Sequence, residues 1–398
     1  MPDPGSSPRP PARALSIAIW NFSSQWLLIP QGTSILCVIL HRLDYQFSGL
    51  QLLAKIVWIY TILLLGVGLA LYCLRALLYP KHVRYQLRTN VVETSGLSSI
   101  PIAFNCILQL AVLQYGVRAG LAIYIMWWVE TALAIVACLG IPYLHLKLQP
   151  PGIPNLPPAA LLPFIAVLTS AAGGGTVCRY SHVSARLQVP VIVVSYLEVG
   201  AGVALAGGFD ALILVQHFDR SHLSPEKVYQ EMLLCGPFGQ GAFALQALGT
   251  AVRRGSFANY NRGSFLTASA AEPIGYVSQF LGLLTWGYGL FWWCFAVLSI
   301  CHTLCTQPGG LRATRFSLAA WSLIFPWGVF TNAAVEFGKI MASPAFAVVS
   351  TALLVVLVLM WAVNQILTVK GIITGRILGL ECGWHCPGRG DTAGTKDV

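Results

Sequence analysis

The chain has 398 residues and a mean hydropathy of +0.69. Of these residues 56% are hydrophobic and only 10% charged, well under the roughly 25% charged of soluble domains. That balance excludes a water-soluble domain carried on one anchor and defines a multi-pass membrane protein, because apolar runs of about 20 residues recur along nearly the whole length. The alternating ten-residue strands of an outer-membrane barrel do not occur, and the net charge of +10 is dispersed among short loops, where orientation and anion attraction account for it better than nucleic acid does.

In chain order, Met1 to Ala14 is rich in Pro and Ser and lacks an apolar core, so a short disordered cytoplasmic tail (1–14) is expected rather than a signal peptide. Membrane spans are predicted near 18–41, 49–79, 98–115, 118–144, 158–174, 187–215, 229–250, 274–302, 316–338 and 345–371, within one transmembrane domain over 15–375. A second short cytoplasmic tail follows at 376–398. The links 42–48, 116–117 and 339–344 are so short that the helices flanking them must turn back on each other. The expected architecture is therefore all-α and integral to the membrane, with ten transmembrane helices grouped as five hairpins. Fifteen of the 24 Lys and Arg residues fall on the side holding the N terminus, which predicts both termini in the cytoplasm.

The first member of each pair carries a helix breaker: Pro30, Pro101, Pro163, Pro237 and Pro326. Three belong to a Pro-x-Gly pattern, at Pro30-Gln-Gly32, Pro237-Phe-Gly239 and Pro326-Trp-Gly328. A proline inside a helix removes a backbone hydrogen bond at a cost of about 3 kcal/mol in water. At membrane depth it is tolerated where protein or a watery cavity satisfies the freed groups. Proline is common in membrane helices generally, yet its recurrence on the odd helices marks them as the kinked inner set around a central pore.

Charge placement agrees. The carboxylates embedded in predicted spans are Glu130, Glu198 and Asp210, all on even helices, whereas the odd helices carry neutral polar residues. Residues expected to line the passage are Gly32, Thr33, Asn105, Gln109, Thr169, Gln240, Gly328 and Thr331. Hydroxyls and amides without a mid-span acid suit an anion better than a cation. The stretch Trp321 to Thr331 sets Phe325 beside Pro326 and makes it the leading plug, with Phe238 and Phe330 as secondary constrictions; a lone buried aromatic is otherwise core packing. Glu130, next to Trp127-Trp128, reads most simply as a helix-bridging or interfacial acid.

Arg253, Arg254 and Arg262 in the loop 251–273 would draw anions to the outer mouth. No His set has metal spacing, and Cys382-Gly-Trp-His-Cys386 is an isolated cluster, so neither a metal nor a cofactor is expected. Seven cysteines within predicted spans read as packing residues. Neither a nucleotide-binding loop nor a Ser/His/Asp set is present, so the chain is not read as an enzyme.

Three motifs, Trp127-Trp128-Val-Glu130, Cys235-Gly-Pro-Phe-Gly-Gln-Gly241 and Phe325-Pro-Trp-Gly328, together resemble the tellurite-resistance, dicarboxylate and slow-anion-channel superfamily. The Gly-Pro-x-Gly-Gln-Gly run is most similar to that of the fungal sulfite efflux pumps. The resemblance covers the whole ten-helix region. It implies a homotrimer in which each protomer has its own pore, with the odd helices inside and a phenylalanine of the ninth helix, here Phe325, closing it. It also implies export of sulfite or bisulfite across the plasma membrane, giving sulfite resistance, with small anions, membrane lipids and further copies of the chain as partners. The alternative is a C4-dicarboxylate (malate) transporter or slow anion channel of the same fold, although no pair of inner-helix arginines suited to a doubly charged ion is readable. Two departures stand out: Glu130 where the family pattern has Asp, and Phe238 where it has Met.

Overall fold

The computed structural model describes residues 13–149, 152, 156–219, 228–306, 316–380 and 384. Most of both predicted tails lies outside these residues, including Cys382 and Cys386. The described chain is helical: α1 Ala14–Trp20, α2 Leu28–Arg42, α3 Leu50–Leu78, α4 Pro80–Thr89, α5 Val91–Gly96, α6 Ser99–Leu148, α7 Leu162–Tyr180, α8 Ala185–Asp219, α9 Gly236–Ala251, α10 Phe257–Tyr260, α11 Ala268–Thr306, α12 Ile324–Met341 and α13 Pro344–Ile373. Among the described residues seven helical segments are long and apolar enough to cross a membrane, or eight if Ala14–Trp20 and Ser24–Arg42, bent by 73° at their junction, form one broken span. The protein is thus an all-α, multi-pass membrane protein.

At 50 residues α6 would be about 75 Å long if straight. Ala119 leaves helical geometry at φ −116°, ψ 16°. Asn105 Nδ2 donates to Glu130 Oε2 at 2.5 Å, although 25 residues of straight helix would hold them about 37 Å apart. The run therefore folds back near Ala119 into two arms, close to the turn expected at 116–117.

Burial sorts the helices into two layers. Within Pro158–Tyr180 the most apolar window is 100% buried, and within Leu318–Met341 94% buried, against 17% for both Ala268–Thr306 and Pro344–Ile373. All of α2 except His41 and all of α9 except Thr250 are buried, as is much of the first arm of α6. These five inner segments close on one another: α2 packs on α6, α6 on α7, α7 on α9, α9 on α12, and α12 back on α2. Around them α3 lies on α2, α8 on α7, α11 on α9 and α13 on α12.

Close backbone approach explains the Pro-x-Gly glycines. A Cβ on Gly239 would lie 2.8 Å from the Phe330 amide nitrogen, and one on Gly328 2.6 Å from Ile35 Cγ2. The prolines have a milder role than mid-helix kinks. Short 3-10 turns at Ser24–Leu27, Pro158–Leu161, Val228–Cys235 and Leu318–Leu323 precede α2, α7, α9 and α12, and each proline then falls in the second or third position of its α-helix. The same holds for Pro101 in α6. There the missing N–H is one of the four that no intrahelical carbonyl could serve, so the mid-helix penalty does not apply. Each break lies at the junction just before the proline.

The 3-10 turns meet at one end of the ring, 228–235 against both 158–161 and 318–323, and 24–27 against 318–323. A buried network ties this end. Arg75 Nη1 reaches Glu93 Oε1 at 2.5 Å, and Glu93 Oε2 accepts from the Ser24 backbone at 3.0 Å. The Ser24 hydroxyl donates to Glu93 O at 2.6 Å, and Arg75 Nε donates to Trp20 O at 3.0 Å. His82 of α4 stacks on Trp20, centroids 3.8 Å apart, and burial pushes its imidazole below the usual histidine range. The two described ends of the chain also meet, Asn21 Nδ2 donating to Leu378 O at 3.0 Å.

Candidate anion pathway

On α12 the residues Phe325, Val329, Asn332 and Glu336 are spaced i, i+4, i+7 and i+11, which stacks them along one stripe. Glu336 fixes where that stripe points. Its carboxylate pairs with Arg42 Nη2 at the end of α2 and, through Oε1, with Arg179 Nη1 at the end of α7, 2.5 Å away. Since the ring neighbours of α12 are α9 and α2, the bond to Arg179 spans the interior. The stripe therefore faces inward, and Phe325, 2% exposed, lies on it about 16 Å from Glu336 along the helix axis.

The opposite side of α12 is committed to the outer layer. Trp327 Nε1 donates to Leu353 O of α13 at 3.0 Å. The Phe330 ring stacks on Trp286 at 4.6 Å and on Trp293 at 5.7 Å, both on α11. Phe238 likewise meets Tyr288 of α11 edge-on at 4.4 Å. Both expected secondary constrictions thus turn their rings to α11, whereas Phe325 makes no ring contact among the described residues.

The expected lining residues divide in the same way. Gly32 abuts Ile324 and Gly328 abuts Ile35, both at the α2–α12 contact. Thr33 accepts from Trp361 of α13 at 3.1 Å, so it faces outward. Thr169 and Thr331 bond back to Ile165 O and Trp327 O of their own helices. Asn105 serves Glu130 and accepts from Gln109 Nε2 at 2.9 Å. Among the described residues both amide atoms of Gln31 and Gln240, and Oε1 of Gln109, are buried without a partner. A buried polar atom left so costs about 1–3 kcal/mol unless solvent or solute serves it, which makes these amides the strongest polar features of the inner layer.

The carboxylates require a correction. Glu336 and Glu231 are 0% and 3% exposed and belong to inner segments, so the inner layer is not free of acid. Both lie toward the ends of apolar runs, where a carboxylate reads as a boundary. The arginine expectation also changes, because Arg42 and Arg179, 137 positions apart in sequence, converge on Glu336. Arg42 Nη1 donates to Asn332 Oδ1 at 3.0 Å and its guanidinium lies 4.5 Å from the Phe243 ring centre. Lys339 Nζ donates to Arg42 O and lies 4.0 Å from Asp44 Oδ1. Only the position of Glu336 on the Phe325 stripe hinted at this in the sequence.

Elsewhere, Glu130 bridges the two arms of α6 through Asn105, while the oxygens of Glu198 and Asp210 reach no hydrogen-bond partner among the described residues. Arg253 is occupied by Glu272 at 3.1 Å and by the Tyr276 hydroxyl at 2.8 Å, so it is not a free lure for anions. The nine described cysteines are all unbridged.

A closed inner layer with 3-10 turns at its helix starts, buried unpartnered amides and arginines at one end suits a membrane protein that handles small anions. The family model described as voltage-dependent anion channel, SLAC1, matches residues 21–369, and the chain belongs to that family. It is 30% identical over 361 residues to the sulfite efflux pump SSU1 of Arthroderma benhamiae, covering 89% of this chain and 91% of the relative. It is 22% identical to the malic acid transport protein of Schizosaccharomyces pombe, covering 90% and 80%. A similar 22% relates it to the uncharacterized transporter MJ0762 of Methanocaldococcus jannaschii, covering 90% and 97%.

Proposed function

We propose that the protein exports sulfite or bisulfite across the plasma membrane through a pore inside the five inner helices, closed by Phe325, and so confers sulfite resistance. The observation that carries this reading is the closed ring α2–α6–α7–α9–α12 with the Phe325 stripe turned into it. The similarity to sulfite efflux pumps over nearly the whole chain supports the substrate. Ten crossings in five hairpins follow if the two arms of α6 and the buried segments Ser24–Arg42 and Val228–Ala251 each count as one; the fold-back at Ala119 supports this. An even number places both termini on one side, in keeping with the Asn21–Leu378 contact, and the distribution of Lys and Arg makes that side cytoplasmic. Each protomer of a homotrimer would hold its own pore, lined in part by Gln31, Gln109 and Gln240. The Pro30, Pro101, Pro163, Pro237 and Pro326 junctions are where each inner helix bends.

The test is flux of sulfite from liposomes reconstituted with the purified protein, measured with and without a pH gradient. Sulfite flux above that of empty liposomes is expected, and its absence with active malate transport would redirect the substrate. One observation favours that second reading: Arg42 and Arg179 form the arginine pair a dicarboxylate needs.

A further inference from the structure

We infer that Arg42 and Arg179 form an oxyanion-binding site at the C-terminal end of the inner ring, and that Glu336 is a tethered counter-anion which occupies it between passing ions. The inference deepens the transport reading and rests on it. A guanidinium presents its N–H donors in a fork that fits the oxygens of any planar or pyramidal oxyanion. Here two such forks close on one carboxylate, from α2 and from α7, across the space the five helices enclose. The carboxylate cannot satisfy them. Arg179 Nε and Asn332 Nδ2 are both buried and reach no acceptor among the described residues, although Asn332 Oδ1 is already held by Arg42. Donors therefore outnumber acceptors where the charges converge.

Charge balance points the same way. Arg42, Arg179 and Lys339 face Glu336 and Asp44, so three cations against two carboxylates leave a net positive centre. The aromatic faces of Phe243 and Tyr180, 4.5 and 5.1 Å from the two guanidinium carbons, hold the arginines in place when their partner leaves. An arriving oxyanion can take the forks from Glu336, and Lys339, one turn further along α12, is the cation left to receive the displaced carboxylate. Filling the site with its own acid keeps two buried guanidiniums from standing uncompensated and sets a threshold that an anion must exceed to enter.

The experiment is a titration of purified full-length protein with sodium sulfite under nitrogen, then with sulfate, malate and chloride at fixed ionic strength, read as ligand-dependent thermal stabilisation. Glu336→Gln should tighten sulfite binding about ten-fold, which is about 1.4 kcal/mol. Arg179→Gln should weaken it and should cancel the gain when combined with Glu336→Gln. Unchanged affinity in folded Glu336→Gln, or a gain that survives loss of Arg179, overturns the inference. Should Glu336→Gln fail to fold, Glu336→Asp retracts the charge by one methylene and should give a smaller gain; none there also overturns it. The same pattern with malate but not sulfite would sink the sulfite assignment and keep the site. Normal sulfite flux with no variant changing affinity would sink the site and keep the transport reading.

Discussion

Truncating Phe325 and Phe330 to alanine, each alone, separates a plug from a packing residue five positions away. Both rings are buried, at 2% and 1% exposure, and a Phe→Ala change in a packed core costs about 3–5 kcal/mol. Phe330 additionally loses two stacked indoles, Trp286 and Trp293, each pair contributing about 0.5–1.5 kcal/mol beyond burial. Phe330→Ala should therefore be the less stable variant by about 1–3 kcal/mol, seen as a lower melting temperature of the purified protein, with sulfite flux per folded molecule unchanged or reduced. If Phe325 closes the proposed pore, Phe325→Ala opens onto the passage, where solvent fills the lost volume, and should melt closer to wild type while raising flux several-fold. Phe325→Ala with unaltered flux and the greater loss of stability would make it an ordinary core residue. A rise in flux from Phe330→Ala instead would transfer the constriction to that ring.

Three further outcomes follow from the packing and the charges. Gly239→Ala places a methyl 2.8 Å from the backbone of Phe330; forcing α9 and α12 apart should destabilise by about 1–3 kcal/mol despite the better helix propensity of alanine, measured by thermal unfolding. Glu93→Gln leaves Arg75 buried without its counter-charge and should cost about 3–5 kcal/mol, whereas the double change Arg75→Met with Glu93→Leu should cost less; a double variant as unstable as the single would refute the ion-pair account. His82 has its pKa lowered by burial, so the folded state holds the neutral ring more firmly than the unfolded chain does. Its contribution is complete above the ordinary histidine pKa of about 6.5 and is lost as pH falls through that value toward the folded one. The melting temperature should thus drop between about pH 7.5 and pH 5.5, and His82→Phe, which keeps the stack on Trp20, should flatten that part of the profile.

Much of the layer arrangement was legible because lipid imposes its own grammar. Apolar length marked the helices, and the recurring Pro and Gly singled out the segments that the structure buries. What the prolines do was not legible: a proline in the first turn and one in mid-helix look alike until the helix start is known, and here the 3-10 turns set that start. The side toward which Phe238 and Phe330 point depended on Tyr288, Trp286 and Trp293, residues of another helix that no periodicity in their own segments reveals. The arginine pair was hidden for a similar reason. Arg42 and Arg179 each close an apolar run, where a basic residue ordinarily marks the membrane surface, and only the three-dimensional meeting with Glu336 turns two boundary charges into one buried centre.

The parallel course of the inner helices has an electrical consequence. Their starts gather at one end and the ends of α2, α7 and α12 at the other, so the peptide dipoles add instead of cancelling. Each helix terminus carries about half an elementary charge, and the three ends gathered there amount to roughly one and a half negative charges where Arg42, Arg179 and Lys339 sit. The backbone alone would draw an anion in at the helix starts and hold it back from leaving at the far end. The cationic cluster offsets that barrier where it is highest. If anions pass along the ring as proposed, their current should rectify according to the helix directions, and neutralising these cations should make passage in the two directions less equal, in Phe325→Ala as well.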